Sequence, residues 1–112
     1  MKKRTKQFAL RVIHLCEAIP DTPVGRVIRN QFIRCGTSVG ANYRSAQRAK
    51  STADFISKMG TVEEEVDESM YWMELIIDVG LIKKEKISDL YNEADEILSI
   101  VVSSIKTAKK RK

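Results

Sequence analysis

The chain predicts an all-α fold, on three observations. Four segments repeat apolar residues at spacings of three and four. No segment alternates apolar and polar residues as a half-buried strand does, and the breaks between segments are short, built from Pro, Gly, Thr or Ser. With 112 residues and 43% hydrophobic content, one domain spanning 1–112 with one core is expected.

The first predicted helix covers about 5–19. Phe8, Val12, Leu15 and Ile19 form its stripe, Cys16 sits beside them, and Pro20 stops it. "PDTP" follows as a tight connection, with Thr22 as N-cap and Pro23 at the first helical position, where its missing N–H costs nothing. The second helix is predicted over about 23–48. Its expected stripe is Val24, Ile28, Gln31, Cys35, Ser38 or Val39, Asn42, and Ala46 or Ser45.

That stripe runs through "RCGTSVGANYR" at 34–44, a stretch that resembles a glycine-rich phosphate loop. A phosphate loop requires a preceding strand and a Gly-Lys-Ser/Thr ending, and neither is present. The stretch is therefore read as mid-helix. Each glycine costs about 1 kcal/mol against alanine there, so Gly36 and Gly40 imply close approach of a neighbouring backbone.

The third helix is predicted over about 52–79, capped by Ser51 with Asp54 in its first turn. Phe55, Met59, Val62, Val66, Ser69 or Met70, Met73, and Ile76 or Ile77 form its stripe, and Gly80 suits a left-handed C-terminal residue. The fourth, over about 84–108, carries Leu90, Ala94, Ile97, Val101, Ile105 and Ala108, and "KKRK" at 109–112 is expected as a frayed basic tail. Such helices with short connections pack most simply as an antiparallel up-down-up-down bundle.

The formal charge is +5, unevenly spread. Residues 1–50 hold 11 basic against 2 acidic residues, 51–80 hold 1 against 8, and 81–112 hold 8 against 5. The asymmetry points to anionic partners or to complementary subunits. Arg11, His14 and Glu17 interrupt any signal-peptide core at the start, so the expected location is cytoplasmic. No run approaches the roughly 18 apolar residues of a membrane helix. Cys16 and Cys35 are read as reduced core thiols.

The segment "RCGTSVGANYRSAQRAKSTADFISKMGTVEEEVDESMYWMELI" resembles the four-helix bundle family first noticed as proteins encoded in intervening sequences of large-subunit ribosomal RNA genes, sometimes labelled ribosomal-protein-like. The likeness runs from about Phe8 to Ile105, and its most specific parts are "TSVGAN" and "DFISKMGTVEEEVDESMYW". The resemblance implies an up-down bundle assembling as a ring-shaped homopentamer. A related branch is the accessory variability determinant protein of diversity-generating retroelements, which works with a reverse transcriptase and nucleic acid. For most members of the family no biochemical activity is established, so the resemblance implies fold and assembly more than function.

At 100° per residue, Arg26, Arg29, Arg44 and Arg48 share the polar side of the second helix with Arg34 at its edge, and Lys2, Lys3, Arg4, Lys6 and Arg11 add charge on the first. Three readings stay open: a solvated face, a nucleic-acid backbone track for RNA or DNA, and subunit salt bridges. Asn42, inside the apolar stripe, is expected to fix register or oligomer state through hydrogen bonds, with Gln31 as its partner or as an interface residue. Tyr71 and Trp72 are adjacent and must diverge, and Trp72 is the expected interface residue.

"EEEVDE" at 63–68 invites a di-metal reading. That chemistry needs two Glu-x-x-His pairs, whereas this chain has one histidine, His14, outside any such pattern. An acidic face meeting the basic helix is expected instead, with no cofactor, no metal and no catalytic constellation. The expectation is a non-enzymatic oligomeric adaptor binding nucleic acid non-specifically, alone or beside a protein partner such as a reverse transcriptase. The alternative is a structural or protein-interaction module whose charges serve assembly.

Overall fold

Helix formation follows the capping signals closely. A computed structural model describes residues 1–111, and all of its regular structure is helical: α1 (Lys2–Cys16), α2 (Pro23–Ala46), α3 (Thr52–Val79) and α4 (Lys84–Lys110). The Thr22 hydroxyl accepts the Gly25 N–H and Pro23 opens α2. At α3 Ser51 Oγ accepts from the Asp54 N–H, and the Asp54 carboxylate accepts from the Lys50 N–H, one residue before the cap. Gly80 ends α3 at φ 84°, a left-handed conformation that a side chain would strain.

The ends differ from expectation in three places. α1 begins at Lys2 and is over by Cys16; Glu17 to Ile19 continue only as turns closed by bonds to His14, Leu15 and Cys16 carbonyls, because Pro20 and the approach to α2 tighten the chain there. α2 ends at Ala46 rather than near Arg48. Lys109 and Lys110 belong to α4, so the expected frayed tail is helical up to its cap at Arg111, and Lys112 lies outside the described residues.

Each helix turns one apolar face to a shared core. Phe8, Val12, Phe32, Val39, Met59, Val62, Val66, Met73, Ile76, Ile87, Ile97 and Val101 are its large, fully buried members. On α2 the stripe lies one residue away from the predicted one at two turns. Gly25 and Phe32 are buried where Val24 and Gln31 were expected, and both of those are exposed. Thr5 lies against Gly40, Val12 against Gly36, and Cys16 against the Arg29 carbonyl, so position falls along α2 as it rises along α1.

The α1–α2 contact is tight at Gly36, where an added Cβ would sit 2.7 Å from Val12 Cγ1. α1 is the shortest helix and meets α4 least, and a polar clamp reinforces that junction: Arg4 donates to Glu93 at 2.6 and 3.0 Å and to Glu96 at 2.8 Å. On the other flank Arg34 of α2 pairs with Glu65 and Glu68 of α3.

Two outcomes follow. Gly36→Ala is expected to destabilise by about 1–3 kcal/mol, because Val12 is fully buried and cannot withdraw, and this outweighs alanine's helix propensity. In urea unfolding, the double variant Val12→Ala/Gly36→Ala should lose less than the sum of the single losses. The second outcome concerns pH. The Arg4 hydrogen bonds hold the Glu93 carboxyl below its usual value, so the clamp contributes above about pH 4.3 and is lost as pH falls through the lower folded value. The stability gap between the native chain and Arg4→Met, measured across pH 7 to pH 2, should therefore close on the acid side.

Candidate nucleic-acid interface

Placement in the fold splits the basic residues into two groups. Arg4 is held by Glu93 and Glu96, Arg34 by Glu65 and Glu68, and Arg26 and Arg29 both approach Asp21, at 3.0 and 3.8 Å. Each of these four has a carboxylate within 4.0 Å, with Arg26 and Arg29 sharing Asp21, so α2 does not present one uninterrupted arginine track. Lys2, Lys3, Lys6, Arg44 and Arg48 are exposed and have no carboxylate within 4.0 Å among the described residues.

These five converge. A groove between the first turns of α1 and the C-terminal half of α2 is lined by Lys2, Lys3, Thr5, Lys6, Ala9, Thr37, Gly40, Ala41 and Arg44. Arg44 also borders an adjoining shallow depression with Ala41, Ser45 and Arg48. The floor at Gly40 is looser than at Gly36: a Cβ built there would lie 3.4 Å from the Thr5 carbonyl, in ordinary contact. The walls are small or cationic, and no acidic side chain lines the groove. The helix dipole adds to this field, because α1 begins beside the lysines with no acidic residue in its first turn. Chemically the groove is a cradle of positive charge.

Lys6 was noted in the sequence only as added charge, and its place beside Arg44 depends on the α1–α2 register. That register is tightest where Val12 packs on Gly36, and the pairing of α1 with α2 is not encoded in either helix's own periodicity.

The polar and aromatic candidates fall elsewhere. Asn42 is half-buried and donates from Nδ2 to the Ser38 carbonyl at 2.8 Å, one turn back on its own helix. It does not bond to Gln31, which is exposed three turns away and points outward because Phe32 takes the buried position. Tyr71 is 54% exposed and sets its ring edge-on to Trp72, with centroids 5.4 Å apart. Trp72 is half-buried against the core, and its indole Nε1 is buried with no hydrogen-bond partner. An orphan donor of this kind costs about 1–3 kcal/mol unless something outside the chain supplies an acceptor.

The remaining chemistry is sparse. Cys16 and Cys35 are buried free thiols, each pushed up to about 11 by burial. Tyr91 donates to the Glu74 carboxylate, and that bond raises its phenol. No cluster of three or more His, Cys, Asp or Glu side chains suited to a metal ion occurs among the described residues. None of their helices is long and apolar enough to cross a membrane.

The family model for 23S rRNA-intervening sequence proteins matches residues 1–103. Among solved structures, the chain is similar to a protein with unknown function from the S23 ribosomal protein family of Bacteroides thetaiotaomicron, at 36% sequence identity and a TM-score of 0.88. That similarity covers 94% of this chain and 97% of the other. No curated protein matches. The sequence motifs, the four-helix architecture and these likenesses agree, and the chain belongs to the 23S rRNA-intervening sequence protein family.

Proposed function

We propose that this protein is a non-enzymatic oligomeric adaptor of the cytoplasm that binds nucleic acid through the groove between α1 and α2. One observation carries the reading: Lys2, Lys3, Lys6, Arg44 and Arg48 gather on one surface without acidic partners, whereas Arg4, Arg26, Arg29 and Arg34 each sit beside a carboxylate of the chain. Unmatched cations on a shared surface favour a polyanion and release its counterions on binding. The resemblance to the retroelement accessory protein supports a protein partner of the reverse-transcriptase kind on the same assembly.

The oligomer has its own support on the other flank of α2. Connections of a few residues between long helices favour the antiparallel up-down-up-down arrangement. In that arrangement the register set by Arg34 with Glu68, and Cys35 with Ser69, places Gln31 opposite Trp72, Val27 opposite Leu75 and Val24 opposite Val79. Val24, Val27 and Val79 are 54%, 60% and 52% exposed, and the orphan Trp72 Nε1 lies in the same seam. This edge is the proposed contact between copies, in a homopentameric ring as the family resemblance implies. Closing it covers the valines and offers the indole an acceptor.

Fluorescence anisotropy on a structured RNA, with the mass followed by light scattering, tests both parts. Arg44→Gln/Arg48→Gln should weaken binding and lower the salt slope by about 2 while the oligomer persists. Arg26→Gln/Arg29→Gln should change affinity less than threefold, since both lie outside the groove and share Asp21. Val27→Asp should drop the mass towards 12.7 kDa. An oligomer that binds no RNA even at low salt overturns the nucleic-acid reading, and an unchanged mass for Val27→Asp overturns the seam.

A further inference from the structure

We infer that the α1–α2 groove grips the sugar–phosphate backbone of a nucleic-acid double helix, leaving the bases stacked on one another, and discriminates against single strands. This inference rests on the nucleic-acid reading above and adds the form of the ligand.

The argument begins with what the groove lacks. Proteins that hold single strands combine a basic track with aromatic platforms, and each stacked base contributes about 1–3 kcal/mol. The chain has three Phe, three Tyr and one Trp, and none lines this groove. Phe8 and Phe32 are fully buried. Tyr43, although next to Arg44 in sequence, packs against the core. Phe55 lies against the C-terminal half of α4, Tyr91 is tied to Glu74, and Tyr71 and Trp72 occupy α3. A base turned out of its stack would find threonine, alanine and glycine between the cationic side chains, and no aromatic face.

What the groove has suits phosphates. Two cationic rails flank a floor of Thr5, Thr37 and Gly40: lysines on α1 and arginines on α2. Within each rail, Lys2 to Lys6 and Arg44 to Arg48 are four residues apart, a rise of about 6 Å along one helix face. Lysine ammoniums act as mobile point charges, and arginine forks fix a phosphate bidentately, so the two rails together can follow a backbone without reading its sequence. A double helix presents one negative charge per about 1.7 Å of axis, twice the density of either strand. With no stacking term to favour the single strand, the denser polyanion wins.

The test uses the full-length oligomer and four labelled 20-nucleotide probes: an RNA duplex, a DNA duplex, and an unstructured single strand of each chemistry. At matched low salt, at least one duplex should bind ten-fold or more tightly than its single strand. If each of the five cations neutralises one phosphate, duplex affinity should fall roughly 500-fold between 50 and 200 mM salt, a log–log slope near −4.5. Lys6→Glu/Arg44→Glu should abolish this binding while circular dichroism and mass are retained. Lys3→Gln/Arg48→Gln, a milder pair, should reduce the slope by about 2 and serves if the first variant misfolds. Equal or tighter binding of single strands overturns the double-helix inference and leaves the nucleic-acid reading intact. Binding that both variants leave unchanged removes it from this groove, and binding to none of the four probes overturns the broader reading itself.

Discussion

The close approach of α1 to α2 is the constraint on which the rest of this molecule depends. Val12 fills the space over Gly36 so fully that even a methyl group there would overlap it, and Thr5 rests on Gly40 one turn further on. Two glycines in a helix cost stability against alanine, and here the cost is offset by burying Phe8 and Val12 completely. The same approach brings the lysines of the first α1 turns beside Arg44. The basic groove is thus a by-product of core packing: the side chains that line it are held apart at their Cα positions by contacts made beneath them.

Charge is then sorted by geometry. An arginine that finds a carboxylate across a helix boundary becomes a fastener, as Arg34 does with Glu65 and Glu68, and Arg4 with Glu93 and Glu96. Each exposed pair contributes only about 0–1 kcal/mol, so these fasteners select which helices lie together more than they hold the fold. Burial raises the Glu65 carboxyl, and the nearby Arg34 opposes that rise. At the start of α1, Glu93 and Glu96 of α4 are both taken up by Arg4, whereas Lys2, Lys3 and Lys6 beside it, and Arg44 and Arg48 at the end of α2, have no carboxylate within 4.0 Å among the described residues. Unmatched charge is what remains available to a ligand.

The sequence made the helices legible because their signals are local. Thr22 with Pro23, Ser51 with Asp54, and Gly80 each act within one turn, and the stripes of α3 and α4 are long enough to fix their phase. On α2 the phase slipped by one residue at Val24 and Gln31. A helix face that buries Gly25 buries backbone, with the Pro20 carbonyl pressed where a side chain would be, and hydropathy has no term for a buried absence of side chain. Asn42 was drawn into the expected core by the same slip, and its bond to Ser38 is a local one that any half-buried asparagine can make. The division of the arginines was not legible, because periodicity says which way a residue points on its own helix and nothing about which helix faces it.

The two surfaces proposed to meet other molecules lie on opposite flanks of α2. One flank faces α1 and carries the basic groove; the other faces α3 and carries the exposed valines and the orphan indole. Because they share a rigid helix but no residues, assembly through the α3 side leaves each groove open to solvent. A ring built this way repeats the same cationic cradle around its circumference at fixed spacing, so a weak contact at one groove raises the effective concentration of phosphate at the next. Under this proposal sequence-independent binding would be a consequence of construction: affinity would come from how many grooves a stiff polyanion touches at once, without any groove reading a base.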